Sequence, residues 1–137
     1  MEIRSATKND LAVCEQLGRI PEFKLPSGGH LGADFLENYL DRDFFLVAEE
    51  NNEVIGYLIA EPLKGKVAIL WFITMKDAAR NKGFGTKLLA EFEERAKIRG
   101  IEWIVLYAPN FNQQTLKFYQ KHGYNLGKSF TECNKQL

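Results

Sequence analysis

The chain has 137 residues, 45% of them hydrophobic and 26% charged, the balance of a packed globular protein rather than a disordered one. Lysine plus arginine equals aspartate plus glutamate, 18 each, so the formal net charge is zero and a nucleic-acid footprint spread over the molecule is not expected. The length fits a single domain, residues 1–137, with room for one core.

Residues 2–6 read as a short strand. Thr7 and Asp10 then have the spacing of a capping box, and Leu11, Cys14 and Leu17 follow at helical intervals up to Gly18. Residues 19–32 hold Pro21, Pro26, Gly28, Gly29 and Gly32, and are expected to form a long irregular loop. A second helix is expected over 33–40, with Leu36, Tyr39 and Leu40 on one side.

Two strands, 44–49 and 53–61, are joined through Asn51-Asn52 as an antiparallel hairpin. After the Lys64-Gly65-Lys66 turn, residues 67–75 carry no ionisable side chain, as in a strand buried on both faces. A helix runs from the glycine-rich stretch to about residue 99, with Leu88, Leu89, Phe92 and Ala96 on its core face and Gly100 as its stop. Residues 101–107 are expected to be another buried strand, 113–121 a last helix, and 124–133 a final edge strand. The unit from 67 to 107 is a strand–helix–strand crossover, which makes its two strands parallel neighbours. The fold class is therefore α/β with a mixed sheet, and not a doubly wound Rossmann fold.

No apolar run approaches the roughly 20 residues needed to cross a bilayer, and Met1-Glu2-Ile3-Arg4 lacks the apolar stretch of a secretory leader. No membrane association is expected. Cys14 and Cys133 stand far apart outside any CxxC spacing, and His30 and His122 have no clustered ligands beside them. Neither a disulfide framework nor a metal site is expected, and the cytoplasm is the expected compartment.

The chemistry concentrates at Arg80-Asn81-Lys82-Gly83-Phe84-Gly85-Thr86, between an apolar strand and a helix. Two glycines at such a junction let the backbone turn its N–H groups toward one point. The start of a helix adds unpaired donors and the positive end of its dipole. The result is a seat for a phosphate or pyrophosphate. The stretch has neither the GxGxxG spacing of a dinucleotide fingerprint nor the Gly-Lys-Ser/Thr ending of a P-loop.

Downstream, Asn112 precedes the Phe118-Tyr119 pair, followed by Gly123 and Tyr124. Together these motifs resemble the GCN5-related N-acetyltransferase (GNAT) superfamily. Arg80, Gly83 and Gly85 match its Arg/Gln-x-x-Gly-x-Gly/Ala signature. Asn112, Phe118, Tyr119, Gly123 and Tyr124 match its C-terminal pattern, and the opening from Ile3 to Thr7 with Asp10 is similar to its usual start.

The resemblance implies a mostly antiparallel sheet whose central parallel pair splays apart, flanked by helices. It implies acetyl transfer from acetyl-CoA, as co-substrate, to a primary amine of a small molecule or protein. The backbone of Ile73, Thr74 and Met75 would pair with the pantetheine arm. The N–H groups of Asn81, Lys82, Gly83, Phe84, Gly85 and Thr86, with Arg80 beside them, would hold the pyrophosphate, and Asn112 would reach the arm. Tyr119 would help expel the thiolate as a general acid. A non-catalytic acyl-CoA-binding module on the same scaffold is the alternative, and a nucleotide-phosphate binder is a third reading.

Many members of the superfamily carry a basic carboxylate on the central strand, and residues 67–75 offer none. Glu61, Glu49, Glu50 and His30 are the remaining side-chain candidates, each also readable as a solvated side chain, and a water chain or an acceptor amine that is already neutral would serve in place of a base. Phe23, Leu25, Tyr39 and Trp71 are candidate walls for the acceptor, core packing being the first role expected of Trp71. The resemblance also allows a homodimer through the last strands, at Tyr124 or Phe130.

Overall fold

The computed structural model describes residues 1–41 and 44–137. It comprises two compact units, Met1–Tyr107 and Ala108–Leu137.

The first unit is built on a five-stranded sheet in the order β1-β2-β3-β4-β5. The strands are β1 (Glu2–Ser5), β2 (Phe44–Glu50), β3 (Glu53–Leu63), β4 (Val67–Met75) and β5 (Trp103–Leu106). Neighbours are antiparallel except β4 and β5, which run parallel as the crossover requires. The β2–β3 hairpin turns at Asn51 and Asn52, whose φ angles of 52° and 62° give the tight left-handed turn expected of that pair.

Alternation along the strands sorts side chains to two faces. On one face Phe45, Val47, Tyr57 and Ile59 form a core with Leu11 and Cys14 of α1 (Leu11–Leu17) and Leu36 of α2 (Ala33–Glu37). Phe23, from the loop between these helices, packs edge-on against Phe72 with ring centroids 5.0 Å apart. Burial pushes the Cys14 thiol up to about 12. The other face receives α3 (Phe84–Ile98), whose Leu88, Leu89, Phe92 and Ala96 are all buried. Phe44 meets Phe92 at 5.2 Å, and the Arg99 guanidinium lies 4.5 Å over the Phe44 ring.

Gly56 pairs with Met75 across the β3–β4 ladder. A Cβ there would come within 2.7 Å of the Thr74 carbonyl oxygen and 2.3 Å of Met75 Sδ. Only glycine lets the two backbones approach this closely.

The Thr7–Asp10 pair does what its spacing suggests. The Asp10 carboxylate accepts from Thr7 N–H at 2.7 Å, and also binds Arg4 through two guanidinium nitrogens at 2.8 and 3.0 Å. Strand β1 is thereby tied to the start of α1.

The second unit contains α4 (Gln113–Lys121), followed by residues without regular structure. Four expectations are corrected here. Residues 124–133 form no strand: Gly127 and a run of polar residues break any period-two pattern, and Leu126 and Phe130 are exposed. Strand β5 is not buried, because it is a sheet edge with Trp103, Val105 and Tyr107 exposed along one alternating row. Strand β4 is not buried throughout, since Trp71 in its middle is 41% exposed. The second helix is also shorter than expected, with residues 38–40 forming turns. Among the described residues no helix is long and apolar enough to cross a membrane.

Arg4 first, and the Thr7 amide with it, hold the Asp10 carboxyl below its ordinary value against the opposing effect of burial. Its stabilising contribution is therefore present above the unfolded carboxyl pKa, near 4, and is lost as pH falls through the lower folded value. Asp10→Asn is expected to cost about 2 kcal/mol at pH 7, with the gap to the parent closing toward pH 2. Urea denaturation at both pH values measures it.

Candidate functional site

The site begins where the β4–β5 ladder stops. Its four pairs run from Val67↔Trp103 to Leu70↔Leu106, while β4 continues to Met75. A bulge marks the parting: β3 pairs Ile59 with Phe72 and then Ala60 with Leu70, leaving Trp71 as the extra residue. Beyond it, Ile73, Thr74 and Met75 pair with Leu58, Tyr57 and Gly56 of β3 and have no partner in β5. Their β5-facing edge is a row of backbone donors and acceptors open to an extended ligand.

Thr74 adds a side-chain group to this edge. It is 95% buried by its 5% residual exposure, and Oγ1 has no hydrogen-bond partner among the described residues. An orphaned buried hydroxyl costs about 1–3 kcal/mol. A polar ligand group in the gap would recover that cost.

From Met75 the chain passes through a short 3-10 turn, Asp77–Ala79, into the glycine-rich loop. Arg80 Nε donates to the Met75 carbonyl at 3.3 Å and lies 3.3 Å from Asp77 Oδ1, so the loop is tied back to the end of β4. Asn81 and Gly83 both take left-handed backbone, at φ 61° and 79°. These turns aim the chain into α3, whose first bond runs from Lys87 N–H to the Gly83 carbonyl at 3.2 Å. The first-turn N–H groups of an α-helix have no intrahelical acceptor. Phe84 anchors this turn against the cluster of Ala48, Ile55 and Ala79. A Cβ at Gly83 would meet nothing within 4 Å, so the space over the loop is open, and Lys82 stands exposed beside it. A helix start, a left-handed turn and two nearby cations fit a pyrophosphate.

In the second unit, Asn112 caps α4, its Oδ1 accepting from Thr115 N–H at 3.2 Å. Its Nδ2 is the end left to donate to a ligand. Tyr119 is buried within an aromatic group, 5.2 Å from the Phe118 ring and 5.4 Å from Tyr124. Burial pushes its phenol up to about 12. His122 Nδ1 lies 2.7 Å from the Phe118 carbonyl, closing the end of that helix.

The candidate bases separate. Glu49 is engaged by Arg4 at 3.4 Å, a structural ion pair. His30 is exposed in the loop. Glu61 lies on β3, where its Oε1 accepts from the Trp71 indole N–H at 3.0 Å. Trp71 is thus not the core residue first expected. No sequence pattern signals the bulge that turns it toward Glu61, nor the orphaned hydroxyl of Thr74.

A family model described as the acetyltransferase (GNAT) family matches residues 14–124. The chain belongs to that family. The membership and the mixed-sheet fold expected from the two motifs are both met. Among its relatives in Bacillus subtilis, the uncharacterized protein YdhI is 36% identical over 88 residues, which are 64% of this chain and 53% of YdhI. The uncharacterized N-acetyltransferase YhfO is 29% identical, over 95% of this chain and 93% of YhfO. The chain thus spans about half the length of YdhI and nearly all of YhfO.

Solved GNAT structures share the fold. The PaiA N-acetyltransferase of Thermoplasma acidophilum, in complex with coenzyme A, has a TM-score of 0.81 at 24% identity, over 94% of this chain and 92% of that one. An aminoglycoside acetyltransferase from an uncultured soil metagenomic sample, in complex with sisomicin, has a TM-score of 0.78 at 19% identity, over 99% and 95%.

Thr74→Val removes the orphaned hydroxyl at nearly constant volume. It is expected to stabilise the unliganded protein by about 1 kcal/mol. A lower urea midpoint than the parent's would show that the hydroxyl is satisfied.

Proposed function

We propose that residues 1–137 act as one N-acetyltransferase domain, moving an acetyl group from acetyl-CoA to a primary amine by direct attack on the thioester. The observation that carries this reading is the early end of the β4–β5 ladder, with β4 running on into a left-handed glycine loop that opens a helix.

In this reading the open backbone of Ile73, Thr74 and Met75 pairs with the pantetheine amides. The N–H groups from Asn81 to Thr86 hold the pyrophosphate, with Arg80 and Lys82 supplying charge. A strand-end N–H stabilises the oxyanion of the tetrahedral intermediate. Asn112 donates to the coenzyme arm through Nδ2. Tyr119, a neutral phenol at physiological pH, gives its proton to the departing thiolate. Only a free lone pair attacks, so an acceptor that arrives as the ammonium first gives one proton to solvent, and the proton its nitrogen sheds on becoming the amide replaces the one that Tyr119 gives to sulfur.

Calorimetry with CoA and thiol release over an amine panel test the reading. Gly83→Ala places a Cβ on left-handed backbone, costing about 1 kcal/mol of stability, and is expected to weaken CoA binding at least tenfold while the protein stays folded. Tyr119→Phe is expected to lower kcat by roughly 10²–10⁴ with CoA affinity retained. Because burial pushes the phenol up to about 12, parental kcat should show no alkaline fall from this group up to pH 10. Tight CoA binding without turnover on any amine would instead support the non-catalytic module.

A further inference from the structure

We propose that Glu61 and Trp71 form the seat of the acceptor, and that the acceptor is a small primary amine carried on an apolar stem. The proposal rests on the acyl-transfer reading above and adds to it the acceptor's seat, small size and apolar stem.

The pair is a product of the bulge. Trp71 is the extra residue of β4, inserted where Ile59↔Phe72 gives way to Ala60↔Leu70. Bulges re-aim side chains and cluster beside active sites. Here the indole is turned to Glu61, which shares a face of β3 with Tyr57 and Ile59 by alternation. The N–H···Oε1 bond at 3.0 Å fixes both side chains. The other carboxylate oxygen takes no second partner among the described residues.

An indole is costly to leave in water, yet this one is 41% exposed in mid-strand. The exposed ring and the second carboxylate oxygen together suit one class of ligand. An ammonium gains a charge-assisted hydrogen bond from the carboxylate and a cation–π contact from the ring. A neutral alcohol gains neither in full. The neighbouring Phe72, packed edge-on with Phe23, continues the apolar surface on which a stem can lie.

The position relative to the acyl carrier is also suitable. Trp71 is two residues before Ile73, about 7 Å along extended backbone. The pair therefore stands where the β4–β5 ladder has just ended, beside the open edge assigned to the coenzyme.

The test uses Trp71 as its own reporter. The chain has two tryptophans, and Trp103, exposed on the sheet edge, is replaced in a Trp103→Phe background. The probes are 2-phenylethylamine and the neutral 2-phenylethanol, titrated with and without CoA. The amine is expected to quench Trp71 saturably, with the alcohol at least tenfold weaker. Glu61→Gln is expected to weaken the amine about tenfold, in both the fluorescence titration and KM, while leaving CoA affinity unchanged. Trp71→Phe, read by KM, should weaken the amine while calorimetry shows CoA bound as in the parent. Failure of the amine to quench saturably, equal binding of amine and alcohol, or an unchanged KM in Glu61→Gln overturns the proposal. Loss of CoA binding by the parent protein would instead overturn the acyl-transfer reading, and the coenzyme-free titration would still judge the amine seat.

Discussion

Strand β4 is hydrogen-bonded on both sides along its first four residues and on one side along its last three, and the site depends on that asymmetry. A sheet normally leaves open backbone only at its edges, where it invites aggregation. Here the open stretch is interior, created by two parallel strands that stop pairing at Leu70↔Leu106. The bulge at Trp71 absorbs the change of register on the β3 side, so that β3 follows β4 to its end while β5 does not. Gly56 makes this possible at the far end, where any side chain would collide with the Thr74 carbonyl and Met75.

The remaining architecture braces that strand. Helix α3 packs Leu88, Leu89 and Phe92 on one face of the sheet, which holds the glycine loop at the end of β4. Arg80 reaches back to the Met75 carbonyl and ties the loop to the strand it follows. On the other face, α1 and α2 cover Tyr57 and Ile59, and Arg4 with Asp10 joins the first strand to the first helix. The open edge is thus held by elements distant in sequence, as a preorganised site requires.

The same geometry separates side chains that look alike in composition. Glu49 and Glu61 both lie in strands of the hairpin. Glu49 meets Arg4 of β1 and is a structural partner, whereas Glu61 meets the indole of Trp71 at the bulge. Tyr57 and Tyr119 are both buried, yet Tyr57 belongs to the core with Phe45 while Tyr119 sits in the aromatic group of α4. Burial raises both phenols.

The sequence alone determined the elements with strong local signals. The Asn51-Asn52 hairpin, the Thr7–Asp10 start of α1, the core face of α3 and the parallel crossover all follow from turn chemistry, capping and periodicity, which act within a few residues. The glycine loop was legible for the same reason, since left-handed backbone at Gly83 is a local need that glycine meets. Tertiary structure decided the exposure of β5, the missing strand at 124–133, the bulge at Trp71 and the orphaned hydroxyl of Thr74. Each depends on which strands pair and where they stop. An apolar run such as 67–75 reads the same whether its neighbour accompanies it to the end or leaves it halfway.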